Sequence, residues 1–101
     1  MSQKFYEVPG GVTAPLGFTC HAVQCGIKDP RKLRLDLGLL YSQQPAVTAA
    51  TFTTNQVKAA PVRLCQKHLR SNDIRAVIVN SGNANACTGP RGINDARSMA
   101  S

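Results

Sequence analysis

The chain has no tryptophan, two tyrosines and three phenylalanines. That leaves no interleaved aromatics on which bases could stack, so a nucleic-acid surface of the RNP kind has nothing to be built from. Acidic residues are also scarce, five against twelve Lys and Arg, for a formal charge of +7. A basic excess can mark an anionic partner, but these cations are scattered: Lys28, Arg31, Lys32, Arg34, then Lys58, Arg63, Lys67 and Arg70. Only "KDPRKLR" is locally dense, and it reads as a turn. No nucleic-acid partner is expected. The longest apolar runs are too short to span a bilayer, so no membrane partner is expected either. The opening "MSQKFYEVPGG" lacks the apolar region of an export signal, and Glu7 fits an organelle-targeting peptide poorly. The expected location is the cytoplasm.

The chain also lacks a C-x2-C knuckle. Its four cysteines are Cys20, Cys25, Cys65 and Cys87. Without an export signal a disulfide framework is not expected. Cys20 and Cys25 with Cys65 and His68 are usable zinc ligands, yet the two pairs lie far apart. The plainer reading is small buried thiols that pack as hydrophobes, and no metal is expected. No P-loop spacing occurs, and Gly89 to Gly92 is not a dinucleotide fingerprint. No cofactor is expected.

Hydrophobic residues make up 43% of the 101 residues, a normal share for a globular core. The length suits one small domain or part of a larger one. "VPGGVTAPLGF" is punctuated by proline and glycine and reads as a lead-in loop. "FTCHAVQCG" alternates weakly and reads as a strand ending at Gly26. "IKDPRK" turns at Asp29-Pro30. "LRLDLGLLY" alternates strictly, with Leu33, Leu35, Leu37 and Leu39 on the expected core face and Arg34 and Asp36 on the other. "VTAATFTTN", residues 47–55, is Thr-rich and reads as another strand. Pro61 opens a helix over "PVRLCQKHLR", with Val62, Cys65 and Leu69 on one face. "IRAVIVN" is a β-branched, buried strand. "INDARSMA" looks like the opening of a helix, with Asp95 in its first turn. A complete domain rarely ends there, so a truncated chain is expected. The fold class expected is α+β.

Between the last strand and the last helix lies "VNSGNANACTGPRG", Val79 to Gly92. A strand that opens into a small, glycine-rich loop and then a helix exposes backbone N–H groups at a positive helix end. Gly82, Gly89 and Gly92 allow close approach. Asn80, Asn83 and Asn85 can brace the loop through side-chain bonds to backbone. Such preorganised donors are what an oxyanion hole requires. An ordinary strand-to-helix connection would use the same residue types. Cys87 with His21 or His68 would make a thiol nucleophile, but one Cys and two His without order form a weak pattern.

At "GGVTAP.GF", "FTTNQVKAAPV" and "VNSGNANACTG" followed by "DAR.MA", the chain resembles the N-terminal part of the ornithine acetyltransferase (glutamate N-acetyltransferase) family. The match runs in order from about Val8 to Ala100. The resemblance implies the first part of that family's layered α/β sandwich, with residues 1–101 an N-terminal fragment of the α chain. It implies acetyl transfer from N-acetylornithine to glutamate in arginine biosynthesis. Some members also accept acetyl-CoA, which is thereby a candidate co-substrate. The precursor cleaves itself before a threonine in an Ala-Thr-Met-Leu-like segment, and the new N-terminal Thr of the β chain is the nucleophile, its own amine serving as base. The Thr-Gly pair that ends "NACTG" forms the oxyanion hole; carried over, this is the Thr88 hydroxyl and the Gly89 N–H.

The resemblance also sets limits. No Ala-Thr-Met-Leu segment occurs before Ser101, so the nucleophile lies outside this chain. Ala50-Thr51 lacks the following Met-Leu, and Thr51 is read as a strand residue. The implied partners are the β chain of the same precursor, in an α2β2 assembly. The fragment alone is expected to be inactive, with exposed strand edges that favour self-association. The alternatives are a non-catalytic truncated product or remnant, and a related self-cleaving aminopeptidase-like protein.

Overall fold

The computed structural model describes residues 2–101. In chain order the elements are β1 (Phe18–Val23), β2 (Leu37–Ser42), α1 (Ala60–Leu69), β3 (Ala76–Asn80) and α2 (Gly89–Ala100). The class is α+β, as the sequence predicts. The strands form one antiparallel sheet in the order β1-β2-β3. Cys20, Leu40 and Val77 stand in one row across it, and His21, Leu39 and Ile78 in the next. Because side chains alternate along a strand, the first row belongs to one face and the second to the other. The helices pack on each other, and a cleft of about 350 Å³ lined by Leu64, Cys65, Ile78, Asn80 and Met99 lies between them and β3.

α1 forms where Pro61 predicts, since a proline in the first turn removes an N–H that would lack a partner anyway. Lys67 falls in its last turn, where positive charge suits the helix dipole. α2 begins four residues before the expected "INDARSMA", at Gly89. Pro90 is the first-turn signal that places this start. Asp95 is therefore not in the first turn; it lies 3.9 Å from Arg91, one turn back, on the exposed side of the helix.

Other expectations fail as well. Residues 47–55 form no strand. Ala46, Val47, Thr48 and Ala49 instead line a cleft with Phe18, Leu40 and Val77, so this segment crosses the end of a sheet face rather than adding to an edge. Farther on, the Asn55 N–H bonds to Thr53 Oγ1 and the Val57 N–H to Asn55 Oδ1. Such short side-chain bonds compete with a ladder.

The alternation of "LRLDLGLLY" is inverted at its start: Leu33 is 90% exposed, Leu35 is also exposed, and Asp36 is buried at 4%. The Asp36 carboxylate is inside because it accepts two backbone N–H bonds, from Cys25 at 2.6 Å and from Ile27 at 2.8 Å.

Nor are the cysteines buried; all four are exposed. The cause is general. Among the described residues the only buried hydrophobic side chains are Ala60 and Ala96. The radius of gyration is 16.1 Å, against about 13 Å for a compact chain of this length. Most of the sheet's apolar surface stays uncovered, and β3 is not the buried strand the sequence predicts: Val77, Ile78 and Val79 are all exposed, because nothing among the described residues covers them. The order in this chain rests on the ladder, the helix pair and the polar knots between them.

Candidate functional site

The loop between β3 and α2 is braced by its own amides. Asn80 Oδ1 accepts from the N–H groups of Gly82 at 3.1 Å and Asn83 at 2.8 Å. Asn83 Oδ1 accepts from the Asn85 N–H at 3.0 Å. These are the side-chain-to-backbone bonds expected from the sequence. A second support comes from outside the loop. The Ser81 N–H donates to the Asp36 carbonyl at 2.9 Å, and Gly82 lies so close to Ile27 that a Cβ there would sit 2.6 Å from the isoleucine side chain. The knot around Asp36 thus fixes both the 25–27 turn and the start of the loop. The two backbone N–H bonds, from Cys25 and then Ile27, hold the Asp36 carboxyl below the ordinary carboxylate range.

The second half of the loop turns through left-handed backbone. Asn85, Cys87 and Gly89 have φ of 47°, 57° and 63°. Asn and Gly tolerate this region, but Cys87 carries a Cβ penalty there. The Asn85 carbonyl accepts from the Ala60 N–H at the start of α1, at 3.3 Å. Its side chain joins two more partners. Asn85 Nδ2 donates to the Gly92 carbonyl at 2.8 Å, and the Thr88 hydroxyl donates to Asn85 Oδ1 at 2.5 Å. Thr88 occupies the position before α2 where a side chain ordinarily caps the helix. Its hydroxyl makes no cap and turns to Asn85 instead. Gly92 is buried against this pair, and a Cβ there would overlap the Thr88 hydroxyl and the Asn85 side-chain oxygen Oδ1.

Thr88 and Gly89 open on a cleft of about 370 Å³ whose other walls include Lys58, Arg63, Cys87 and Ile93. The Gly89 N–H is the first of α2 and bonds to no acceptor among the described residues; Pro90 beside it has no N–H. A hydroxyl and a backbone amide on adjacent residues at a positive helix end can stabilise an oxygen that gains charge in a reaction. Lys58 and Arg63 enter no ion pair among the described residues.

Of the sequence-predicted residues, Thr88 and Gly89 stand side by side at this cleft, with Cys87 next to them. No hydrogen bond joins Cys87 to His21 or His68 among the described residues. His21 lies in β1 and His68 in the last turn of α1. No three His, Cys, Asp or Glu side chains gather to hold a metal among those residues. No helix there is long and apolar enough to cross a membrane. Sequence reasoning missed the Asn85–Thr88 bond, Asp36 as the support, and Lys58 and Arg63 as cleft walls. The buried Asp was foreseeable only from the unpaired turn amides it serves.

A family profile described as the ArgJ family matches residues 19–101. The Arginine biosynthesis bifunctional protein ArgJ of Geobacter sulfurreducens is 56% identical over 85 residues, which cover 84% of this chain and 21% of that protein. The protein of the same name from Caldanaerobacter subterraneus subsp. tengcongensis is 50% identical over 91 residues, 90% of this chain and 22% of its own length. Among solved structures, ornithine acetyltransferase complexed with ornithine from Mycobacterium tuberculosis superposes with a TM-score of 0.79 at 52% identity, covering 87% of this chain and 45% of that one. Arginine biosynthesis bifunctional protein ArgJ from Bacillus halodurans gives 0.82 at 45% identity, with 89% and 46% covered. The chain therefore spans about a fifth of the length of these curated relatives, and under half of each solved chain.

Proposed function

The chain belongs to the ArgJ family, and from that premise we propose that it is the N-terminal part of the α chain of a self-processed acetyltransferase. The reaction is transfer of the acetyl group of N-acetylornithine to glutamate in arginine biosynthesis, in the cytoplasm. Acetyl-CoA is a second donor by the same acyl chemistry. The nucleophile is an N-terminal threonine of a β chain cut from the same precursor, and the two chains assemble as α2β2. No cofactor or metal takes part. These 101 residues alone do not turn over.

One observation carries the reading: Thr88 and Gly89 meet at one cleft, in a loop held from both sides. When the threonine nucleophile adds to the acetyl carbonyl, the carbonyl oxygen becomes an oxyanion. The Thr88 hydroxyl and the Gly89 N–H are the donors that receive it. Collapse expels the ornithine amine, which takes up a proton, and leaves an acetyl ester on the nucleophile. The glutamate amine then attacks that ester through a second oxyanion at the same two donors; its collapse breaks the ester C–O bond, the threonine oxygen takes back the proton lost by the amine, and N-acetylglutamate leaves. Lys58 and Arg63 on the cleft walls suit substrates that carry carboxylates.

The test is made on native protein. Intact mass and N-terminal sequencing are expected to give two pieces, one beginning with threonine and the other containing residues 2–101. The purified complex is expected to move acetyl from N-acetylornithine to glutamate. A single uncut species without transfer would overturn the proposal.

A further inference from the structure

Beyond Thr88 and Gly89, we infer that Asn85 is a positioning residue that sets where the Thr88 hydroxyl sits and when its proton is available. This rests on the reading of Thr88 as an oxyanion donor. The two ends of the amide are bonded differently. Asn85 Nδ2 donates to the Gly92 carbonyl at 2.8 Å. A carbonyl can only accept, so this bond fixes which end of the amide faces which way. Asn85 Oδ1 is therefore the end turned to Thr88, and the Thr88 hydroxyl must be the donor in their 2.5 Å bond.

The backbone holds the amide from behind. Asn85 takes a left-handed φ of 47°, which Asn accommodates better than most residues. Its N–H is tied to Asn83 Oδ1, and its carbonyl to the start of α1. The absence of a side chain at Gly92 leaves the space in which the pair meets. Thr88 is thus aimed by a group anchored to both helices and not by its own rotamer preference.

The consequence is a resting state in which the Thr88 proton is committed to Asn85. Rotation about the Cβ–Oγ bond alone hands that proton to an arriving oxyanion, since Oγ itself need not move. A charged oxygen outcompetes a neutral amide carbonyl for the proton, because charge-assisted bonds are the stronger. Asn85 thereby holds the donor in place at little reorganisation cost and gives it up only as charge develops.

The test is a double-mutant cycle on the complete protein, with kcat and KM measured separately and folding followed by thermal unfolding. Thr88→Ala is expected to lower kcat by roughly 10²–10³-fold. Asn85→Ala is expected to lower kcat by up to about 10²-fold, the size of effect a small misplacement has, with KM nearly unchanged. Combined with Thr88→Ala, it should add almost nothing. Asn85→Asp keeps size and backbone preference, so it covers the case in which Asn85→Ala does not fold. Its carboxylate holds the Thr88 proton more firmly and adds charge near the oxyanion. Its kcat deficit should shrink relative to the parent as pH falls and the carboxyl protonates. Loss of activity in Thr88→Ala with additive, independent losses at Asn85, or a pH-invariant Asn85→Asp deficit, overturns the positioning role alone. Unchanged kcat in Thr88→Ala overturns the oxyanion reading, and the positioning role with it.

Discussion

The Ser81 N–H donates to the Asp36 carbonyl at 2.9 Å, so a residue in the strand lead-in and the first residue of the site loop share one bond. The same Asp36 binds the Cys25 and Ile27 amides through its carboxylate. One residue, through its carboxylate on one side and its backbone carbonyl on the other, thereby ties the β1–β2 connection to the loop that presents Thr88.

The pH dependence of this knot has a definite sign. The Asp36 carboxyl is held below its ordinary range, chiefly by the Cys25 N–H and then the Ile27 N–H. A lowered folded-state pKa gives stability that is present above the unfolded value and lost as pH falls through the folded one. The melting temperature of the parent protein should therefore drop more steeply than that of Asp36→Asn as pH falls below about 4, the ordinary aspartate value. At neutral pH Asp36→Asn should be the less stable, because an amide offers one acceptor where the carboxylate uses two. Parallel curves for the two proteins would contradict this role.

Cys87 stands at φ 57° without a glycine's freedom. A left-handed conformation costs a Cβ-bearing residue roughly 1–2 kcal/mol, while glycine's extra unfolded-state entropy returns about 0.5–1 kcal/mol. Cys87→Gly should accordingly stabilise the complete protein by up to about 1 kcal/mol in urea unfolding. Transfer activity should persist, since no hydrogen bond joins this thiol to a histidine among the described residues. Abolished transfer would favour the thiol-nucleophile alternative.

Gly92 inverts a common rule. Exchanging glycine for alanine inside a helix ordinarily helps by about 1 kcal/mol. Here the added methyl would overlap the Thr88 hydroxyl and Asn85 Oδ1. Gly92→Ala should destabilise by roughly 1–3 kcal/mol, the usual size of overpacking, and should lower kcat by displacing Thr88. A gain in stability with normal turnover would mean that the pair does not need this space.

What was legible in the sequence follows from what local chemistry decides. Pro61 and the β-branched run at Ala76–Asn80 specify α1 and β3 from their own residues. The Asn-rich loop announces its bracing, because Asn80 and Asn83 bond within three residues of themselves. The quoted motifs carried the family. What was not legible depends on distant partners. Nothing in "LRLDLGLLY" reveals that Asp36 serves amides 9 and 11 residues away, so alternation put the wrong side chains inside. The Thr-rich segment has strand propensity but crosses a sheet end, and propensity does not report placement. The cysteines read as core because their type is usually buried, whereas the sheet faces of this chain are largely uncovered. Asn85 and Thr88 are three residues apart, yet their bond depends on the Gly92 carbonyl that fixes the amide.

The most direct test of the central claim is the turnover number of Thr88→Ala in the complete, correctly cleaved protein, with N-acetylornithine as donor and glutamate as acceptor. The expected result is a fall in kcat of roughly 10²–10³-fold, with self-cleavage and folding retained. A fully processed, folded variant with the parent kcat would contradict the assignment of Thr88 as the oxyanion donor.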